Sequence, residues 1–99
     1  MSAELVRDIE KSRNEHKDKW VVVMYNDNYT AMDFVVFVLI SVFNKSMYDA
    51  VNLMLQIHNS SKQVVGMYPE KLANAKVKKT MDLARDCGYS NFRVEAEKV

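Results

Sequence analysis

The chain has 99 residues, which fits a single domain because domains usually run from about 50 to 250 residues. Hydrophobic residues make up 48% of the sequence and charged residues 27%, so the composition is that of a globular protein and excludes disorder along the whole chain. The formal net charge is only +1, so bulk electrostatic attraction to nucleic acid is excluded and we expect no nucleic-acid partner.

Composition also limits the chemistry and the compartment. One cysteine, Cys87, cannot form an internal disulfide, and two histidines are too few for a zinc cluster, so we expect no metal and no cofactor. No run reaches the roughly 18 apolar residues of a membrane-spanning helix, and residues 1–15 lack the apolar block of a secretory signal. We therefore expect a cytoplasmic monomer with no membrane partner. A core this small rarely encloses a catalytic cavity, which argues against an enzyme.

Residues 1–19 differ in composition from the rest of the chain. Five bases and five acids occur in this segment, and the few apolar side chains gather at Leu5, Val6 and Ile9. So little apolar surface cannot form a core. We interpret this segment as a mobile N-terminal arm and residues 20–99 as the folded domain.

The first two elements follow the arm. The β-branched and aromatic run WVVVMY (Trp20–Tyr25) predicts a strand, and a polar loop follows it. The run Phe34–Phe43 would span about 33 Å as a strand but about 15 Å as a helix, which suits a small domain better. Thr30 and Asp33 have the spacing of a capping box, so we predict a helix here. Since the run is almost entirely apolar, we expect this helix to be buried nearly all round.

The remaining elements alternate between helix and strand. Ser46 and Asp49 predict a second helix start, and the apolar face of that helix is formed by Ala50, Leu53, Met54, Ile57 and His58. Gln63–Tyr68 is typical of a strand with a bulge at Gly66. Pro69 fits the first position of a third helix, which Gly88 ends. The alternation of Phe92, Val94 and Ala96 with charged residues predicts a last strand.

The predicted order is therefore β-α-α-β-α-β in a single small α+β domain. A three-stranded antiparallel sheet with three helices against one face buries all of these apolar stripes.

Two places combine polar groups with apolar surface: Asn26-Asp27-Asn28 after the first strand, and His58 at the end of the second helix. Each has an ordinary explanation, since Asn and Asp favour turns and a single histidine is often only packed or exposed. Methionines such as Met54 often fill cores. One histidine and one aspartate are too few ligands for a metal site, and no nucleophile accompanies them.

Three segments, NDNYTAMDFVVFVL (26–39), AVNLMLQIH (50–58) and VVGMYPEKLANAKV (64–77), resemble motifs of the ClpS adaptor family. They occur in the family's order and at close to its spacing, and the resemblance covers about residues 20–99. It implies the same β-α-α-β-α-β fold that the elements above indicate.

The resemblance implies an ATP-independent adaptor rather than an enzyme. Such an adaptor binds the free α-amino group and the large hydrophobic side chain (Leu, Phe, Tyr or Trp) at the start of an N-degron substrate. It then delivers the substrate to the N-terminal domain of a ClpA/ClpC-type AAA+ unfoldase for degradation by ClpP. The arm corresponds in position to the family's N-terminal extension, which is thought to engage the unfoldase pore.

The resemblance also assigns residues to the site. Asn26, Asp27 and His58 match the amine-binding positions, with Asn28 at the pocket rim. The positions that match the hydrophobic pocket are Thr30, Met32, Val35, Met54, Ile57 and Phe92. Met32 matches a residue that disfavours side chains branched at Cβ. An ordinary core role remains the alternative for Met32, Val35, Met54 and Ile57.

Several positions depart from the family pattern. Ala31 stands in place of a proline, Asn28 in place of an aspartate and Ser61 in place of a turn glycine. Unfoldase docking in the family uses an acidic residue early in the third helix and a lysine further on. Lys76 matches that lysine, whereas Lys71 occupies the acidic position and Glu70 lies beside it.

Two other functions remain open from the sequence. One is a structural or assembly module like the C-terminal domain of the ribosomal stalk protein, which has a related fold and would leave Asp27 and His58 without a role. The other is a small hydrolase that uses Asp27 and His58, although no nucleophile or oxyanion motif supports it.

Overall fold

The computed structural model describes residues 19–99. Its elements are β1 (Lys19–Tyr25), α1 (Met32–Ser41), α2 (Met47–Ser60), β2 (Lys62–Pro69), α3 (Glu70–Asp86) and β3 (Arg93–Lys98). This order confirms the predicted α+β fold. Lys19 is the first residue of β1, and the rest of the predicted N-terminal arm, 1–18, lies outside the described residues.

The three strands form one antiparallel sheet in the order β2-β1-β3, with β1 in the centre. Since side chains alternate along a strand, Val22 and Met24 of β1 share the face that packs against the helices, and both are 0% exposed. This face and the inner sides of the helices form the single apolar core of the described residues, 19–99.

The predicted bulge at Gly66 is confirmed. Val22 pairs with Gly66 while Val23 pairs with Val64, so Val65 is the extra residue on β2. The ring of Tyr68 lies over Gly66 and occupies the space where a Cβ would stand. Any larger residue at this position would therefore have to displace the Tyr68 ring.

The start predicted for α1 is wrong. Ala31 is the N-cap and makes no side-chain cap, and the helix runs from Met32 to Ser41 instead of Phe34–Phe43. The hydroxyl of Thr30 donates to the carboxylate of Asp27 and accepts no hydrogen bond from the first turn of the helix. A hydrogen bond to a carboxylate is charge-assisted and stronger than one between a neutral amide and a hydroxyl, so the contact with Asp27 holds Thr30 in the loop.

The expectation that α1 is buried nearly all round is also wrong. Phe34, Val35, Val38 and Leu39 are buried, but Phe37 is 53% exposed. The outer face of α1 therefore reaches solvent, while its inner face contacts the core.

The second helix begins as predicted. The Ser46 hydroxyl accepts a hydrogen bond from the Asp49 amide at 3.1 Å, which satisfies one of the free donors of the first turn. Ala50 and Ile57 of α2 are buried and Met54 is half-buried, whereas His58 is exposed in the last turn. The apolar face therefore packs inward and presents His58 at its solvent edge.

The third helix starts one residue later than predicted. Pro69 is the last residue of β2 and the N-cap of α3 instead of its first helical residue. Gly88 follows the end of α3 with a positive φ of 85°, a conformation that glycine adopts without strain, so its predicted role is confirmed.

Aromatic rings connect α1 to the segment before β3. The ring centroid of Phe34 lies 4.9 Å from that of Tyr89 and 6.0 Å from that of Phe92. Edge-on and tilted contacts at these separations are favourable. They fix Phe92, which is 2% exposed, against the start of α1.

Candidate functional site

A cavity of about 140 Å³ opens where the end of β1, the start of α1 and the end of α2 meet. Phe92, just before β3, contributes to its wall. The lining residues are Tyr25, Asn26, Asp27, Asn28, Thr30, Met32, Val35, Met54, Ile57, His58 and Phe92. The structure thus brings together every residue that the resemblance assigned to the amine site, the rim and the hydrophobic pocket.

The loop before α1 is organised around Asp27. One carboxylate oxygen, Oδ1, accepts from the amides of Tyr29 at 2.6 Å and Thr30 at 3.2 Å. The other oxygen, Oδ2, accepts from the Thr30 hydroxyl. An aspartate that binds amides two and three residues ahead forms a local turn, so the ordinary turn role is also present here.

These contacts keep Asp27 ionised. Partial burial would by itself raise the pKa of the Asp27 carboxyl, but the hydrogen bonds from the Thr30 hydroxyl and from the Tyr29 and Thr30 amides lower this pKa below its usual value. A carboxylate has room for about four hydrogen bonds, so Asp27 retains acceptor capacity toward the cavity. It therefore provides a fixed negative charge at the mouth.

Asn26 and His58 come to the same mouth from distant parts of the sequence. The backbone amide of Asn26 donates to the backbone carbonyl of Ser61 at 2.7 Å. This hydrogen bond connects the end of β1 to the end of α2. Both side chains are exposed and line the cavity. An amide oxygen and an imidazole nitrogen are both acceptors when the histidine is neutral, so the mouth presents acceptors from three side chains.

Ser61 supports this junction in a strained conformation. Its φ is 73°, in the left-handed region that favours glycine. The serine that departs from the family glycine therefore occupies a backbone conformation that glycine adopts with less strain.

The interior of the cavity is apolar. Val35, Ile57 and Phe92 are buried and also belong to the core. Val35 and Ile57 therefore have the ordinary core role that was the alternative to lining a pocket, and they line the cavity as well. Met54 is half-buried, and Met32 is 45% exposed at the first position of α1. Both methionines line the cavity, and thioether side chains adapt to the shape of a neighbour.

The sequence reasoning missed Tyr25 as a lining residue. Its ring stacks on the guanidinium of Arg93 at 4.1 Å, and the Lys62 ammonium lies 5.9 Å from the ring centroid. The sequence analysis assigned Tyr25 only to the first strand. Its position as the last strand residue before Asn26 could have indicated that it lines the cavity.

The residues that match the docking positions lie on α3, apart from the cavity. Glu70 and Lys71 are exposed in its first turn. Lys76 is partly buried, and its ammonium donates to the carbonyl of Val42 at 2.6 Å, just beyond α1. The ammonium also lies 5.7 Å from the Phe43 ring and 5.2 Å from the Tyr68 ring. Lys76 therefore connects α1, β2 and α3 internally.

Burial lowers the pKa of Lys76, and the positive charge of Lys79 lowers it further. A groove of about 350 Å³ runs beside it. The lining residues of this groove are Ser41, Val42, Asn44, Leu72, Ala75, Lys76 and Lys79.

No cluster of three or more metal-ligating side chains occurs among residues 19–99. Cys87 is exposed and unpaired within this range. In the same part of the chain, no helix combines the length and apolarity needed to cross a bilayer.

Comparison with known proteins identifies relatives over most of the chain. A family model described as ATP-dependent Clp protease adaptor protein ClpS matches residues 15–94. The ATP-dependent Clp protease adapter protein ClpS of Lawsonia intracellularis is 44% identical over 68 residues, which cover 69% of this chain and 62% of that protein. The protein of the same name from Campylobacter jejuni is 32% identical over 89 residues and 90% of both chains.

A solved structure has the same fold. Agrobacterium tumefaciens ClpS2, bound to L-phenylalaninamide, superposes with a TM-score of 0.74 at 30% sequence identity. The match covers 82% of this chain and 99% of that one.

Proposed function

Because the chain belongs to the ClpS family of Clp protease adaptors, we propose that its cavity binds the first residue of N-degron substrates. It takes the free α-amino group at the polar mouth and a large hydrophobic side chain inside. The observation that carries this proposal is the arrangement of Asn26, Asp27 and His58 around one end of an apolar cavity of about 140 Å³.

The polar mouth suits a primary ammonium. An α-amino group has a pKa of about 7.7–8.0, so near neutral pH it is largely a cation with three donors. The Asp27 carboxylate supplies the opposite charge, and the Asn26 side-chain oxygen and a ring nitrogen of His58 supply further acceptors. A charge-assisted hydrogen bond contributes about 1.5–3 kcal/mol. Acetylation removes both the charge and two donors, so a blocked terminus loses these contacts.

The interior suits a single large apolar side chain. An apolar cavity of about 150 Å³ is large enough to hold benzene, and this one has a similar volume of about 140 Å³. Burying a Leu or Phe side chain contributes about 1.5–3 kcal/mol. The pocket and the amine site therefore contribute comparably, which explains why an adaptor of this kind would require both features. The phenylalaninamide bound to A. tumefaciens ClpS2, which combines a free amine with a benzyl side chain, supports the same ligand chemistry.

Asn28 at the rim affects the strength of amine binding. It is exposed at the cavity mouth, where the family pattern has an aspartate. One negative charge fewer lowers the Coulombic attraction for an ammonium. We expect weaker amine binding than in relatives with two acids, but a functional site.

The second part of the proposal concerns delivery. The adaptor passes its cargo to the N-terminal domain of a ClpA/ClpC-type AAA+ unfoldase for degradation by ClpP, and makes no covalent change itself. Because Lys19 belongs to β1, residues 19–99 form the binding domain and the segment 1–18 is the arm. The protein as a whole acts as a cytoplasmic monomer. Glu70, Lys71 and Lys76 are the candidates for docking, and Lys76, which is partly buried, also donates to the carbonyl of Val42.

A peptide-binding titration tests the cavity. Fluorescence anisotropy is measured with a labelled peptide beginning with Phe or Leu and with its N-acetylated form. The proposal predicts saturable binding of the free-amine peptide alone. Equal binding of both forms, or none, would refute it and favour a structural module of the stalk-protein type. Cleavage of the peptide would favour a hydrolase.

A separate capture experiment tests delivery. The full chain is immobilised and incubated with the isolated N-terminal domain of a Clp unfoldase. Retention is expected for the wild type and increased for Lys71→Glu, which restores the acidic residue that docking in the family uses at this position. Lys98→Glu, at the far end of β3, is the matched control and should be retained like the wild type.

A further inference from the structure

The interior of the cavity is formed by hydrocarbon side chains. Its buried lining residues are Val35, Ile57 and Phe92, which carry no nitrogen, oxygen or sulfur in their side chains. We call these three residues the hydrocarbon wall. The amide, carboxylate and imidazole groups that line the cavity lie at its mouth instead, on the loop after β1 and in the last turn of α2.

The two hydroxyl groups among the lining residues are engaged by carboxylates. The Thr30 hydroxyl donates to Asp27 at the mouth, and the Tyr25 hydroxyl donates to Glu97 of β3 at 3.3 Å. The two methionines of the lining carry thioethers, which are only weak acceptors. A polar atom that reaches the hydrocarbon wall therefore finds no strong hydrogen-bond partner among the side chains of residues 19–99.

Phe92 is held in this wall by its neighbours. Its ring meets the Phe34 ring at 84°, with the centroids 6.0 Å apart, and the Phe34 centroid lies 4.9 Å from that of Tyr89. The backbone amide of Phe92 donates to the carbonyl of Tyr89 at 3.0 Å. Because protein interiors are close-packed, the ring cannot move aside without breaking these contacts. Phe92 therefore limits the size of the side chain that the cavity can hold.

The volume of the cavity fits one phenyl or isobutyl group. It is about 140 Å³, close to the roughly 150 Å³ of an apolar cavity that holds benzene. Relative to Phe, a Tyr side chain adds a hydroxyl at the far end of the ring, and Trp has a larger double ring with an N–H donor. When these groups are buried they usually need a hydrogen-bond partner, which the hydrocarbon wall does not supply.

We propose that the hydrocarbon wall makes the cavity select substrates that begin with Phe or Leu over those that begin with Tyr or Trp, and that Phe92 excludes the larger indole ring. This inference rests on the proposed function and narrows it, because the family resemblance allows all four residues. Burial of an unpaired hydroxyl or N–H weakens binding by a factor of about ten or more. An edge-on contact with the Phe92 ring favours Phe further.

Anisotropy titrations of the full chain with four peptides that differ only at the first residue test this selectivity. Peptides that begin with Phe or Leu should bind at least about tenfold more tightly than peptides that begin with Tyr or Trp. If Tyr or Trp bound as tightly as Phe, the inference would be overturned while the proposed function stood. Absence of binding by all four peptides would refute the proposed function and the inference together.

A peptide that begins with para-fluorophenylalanine separates polarity from size. Fluorine occupies the place of the Tyr hydroxyl but has no proton to donate, so this peptide should bind like the Phe peptide. Binding as weak as that of the Tyr peptide would mean that crowding, and not an unpaired hydroxyl, causes the discrimination. That result would contradict the role given to the hydrocarbon wall.

Phe92→Leu tests the limit set by the ring. The smaller side chain leaves more room, so the ratio of the Trp affinity to the Phe affinity should rise at least about fivefold. Phe43→Leu is the matched control, because Phe43 is buried like Phe92 but does not line the cavity, and it should keep the wild-type ratio. An unchanged ratio in Phe92→Leu, or an equal rise in the control, would overturn the role of Phe92.

Discussion

At the level of single residues, Asp27 has two tasks that involve the same carboxylate. It organises the loop through Tyr29 and Thr30, and it faces the cavity mouth. Its substitution therefore affects loop stability as well as ligand binding. A loss of peptide affinity in an Asp27 variant has to be separated from a loss of loop structure.

The pH dependence of stability makes this separation possible. Because the folded-state pKa of Asp27 is lowered, its ionised form stabilises the fold above the unfolded value of about 3.9, and this contribution disappears as the pH falls through the folded pKa. Urea unfolding should show Asp27→Asn less stable than the wild type at about pH 7, with the difference shrinking toward about pH 3. Thr30→Val, which keeps the carboxylate but removes one donor, should show a smaller difference. A deficit that does not change with pH would contradict this interpretation.

Met32 offers a test of side-chain selection. It is partly exposed at the opening of the cavity, so Met32→Ala removes bulk near the Cβ of a bound residue. Peptides beginning with Ile or Val should then bind at least about tenfold more tightly than they bind the wild type, which corresponds to about 1.4 kcal/mol. Anisotropy titrations measure this change. The control is Met47→Ala, because Met47 is exposed away from the cavity. If Met32→Ala leaves the preference among N-terminal side chains unchanged, Met32 contributes only to packing and does not select the ligand.

At the level of elements, α2 connects stability to the site because His58, Met54 and Ile57 lie in its second half. Its first turn is capped by Ser46, at the opposite end of the helix. Changes at the cap should therefore reduce stability without changing which peptides bind.

Ser46→Ala is the corresponding substitution. Loss of an N-cap hydroxyl costs about 0.5–2 kcal/mol of unfolding free energy, which urea titration can measure. Exposed Ser90→Ala is the control and should stay within about 0.5 kcal/mol of the wild type. If Ser46→Ala were as stable as the control, the cap would contribute nothing in solution.

The contact of Lys76 with the carbonyl of Val42 holds α3 against the end of α1. Lys76→Met keeps most of the aliphatic packing but removes the charged hydrogen bond, so we expect a loss of about 1–3 kcal/mol in unfolding free energy. Lys79→Met, in the same groove but exposed, should have little effect. If both variants lost the same unfolding free energy, the stability would depend on positive charge near the groove and not on the hydrogen bond to Val42.

The order and type of the elements were predictable from local signals. These are the spacing of apolar residues, the helix cap at Ser46, the bulge at Gly66 and the helix end at Gly88. The start of α1 was not predictable, since the Thr30 hydroxyl can accept from the first turn of the helix or donate to Asp27, and both partners are local in the sequence. Gathering the site residues required the family resemblance. The cavity volume and the internal role of Lys76 depend on packing between elements far apart in the sequence.

At the level of the whole molecule, the sheet separates two surfaces. Its inner face and the helices form the core, and the cavity lies at the edge of that core, where β1, α1 and α2 meet. Several residues, among them Val35, Ile57 and Phe92, belong to both. A ligand in the cavity therefore contacts the core directly, and binding should raise the thermal stability of the whole domain.

The most direct test of the central claim is a calorimetric titration of the full chain with four peptides that differ only at the first residue. The peptides begin with Phe or Ser, each with a free or an acetylated amine. We expect measurable binding only for free Phe, and a loss of at least about 1.5 kcal/mol for either single change. Comparable affinity for acetylated Phe, or for free Ser, would contradict the claim that the cavity reads both the amine and the side chain.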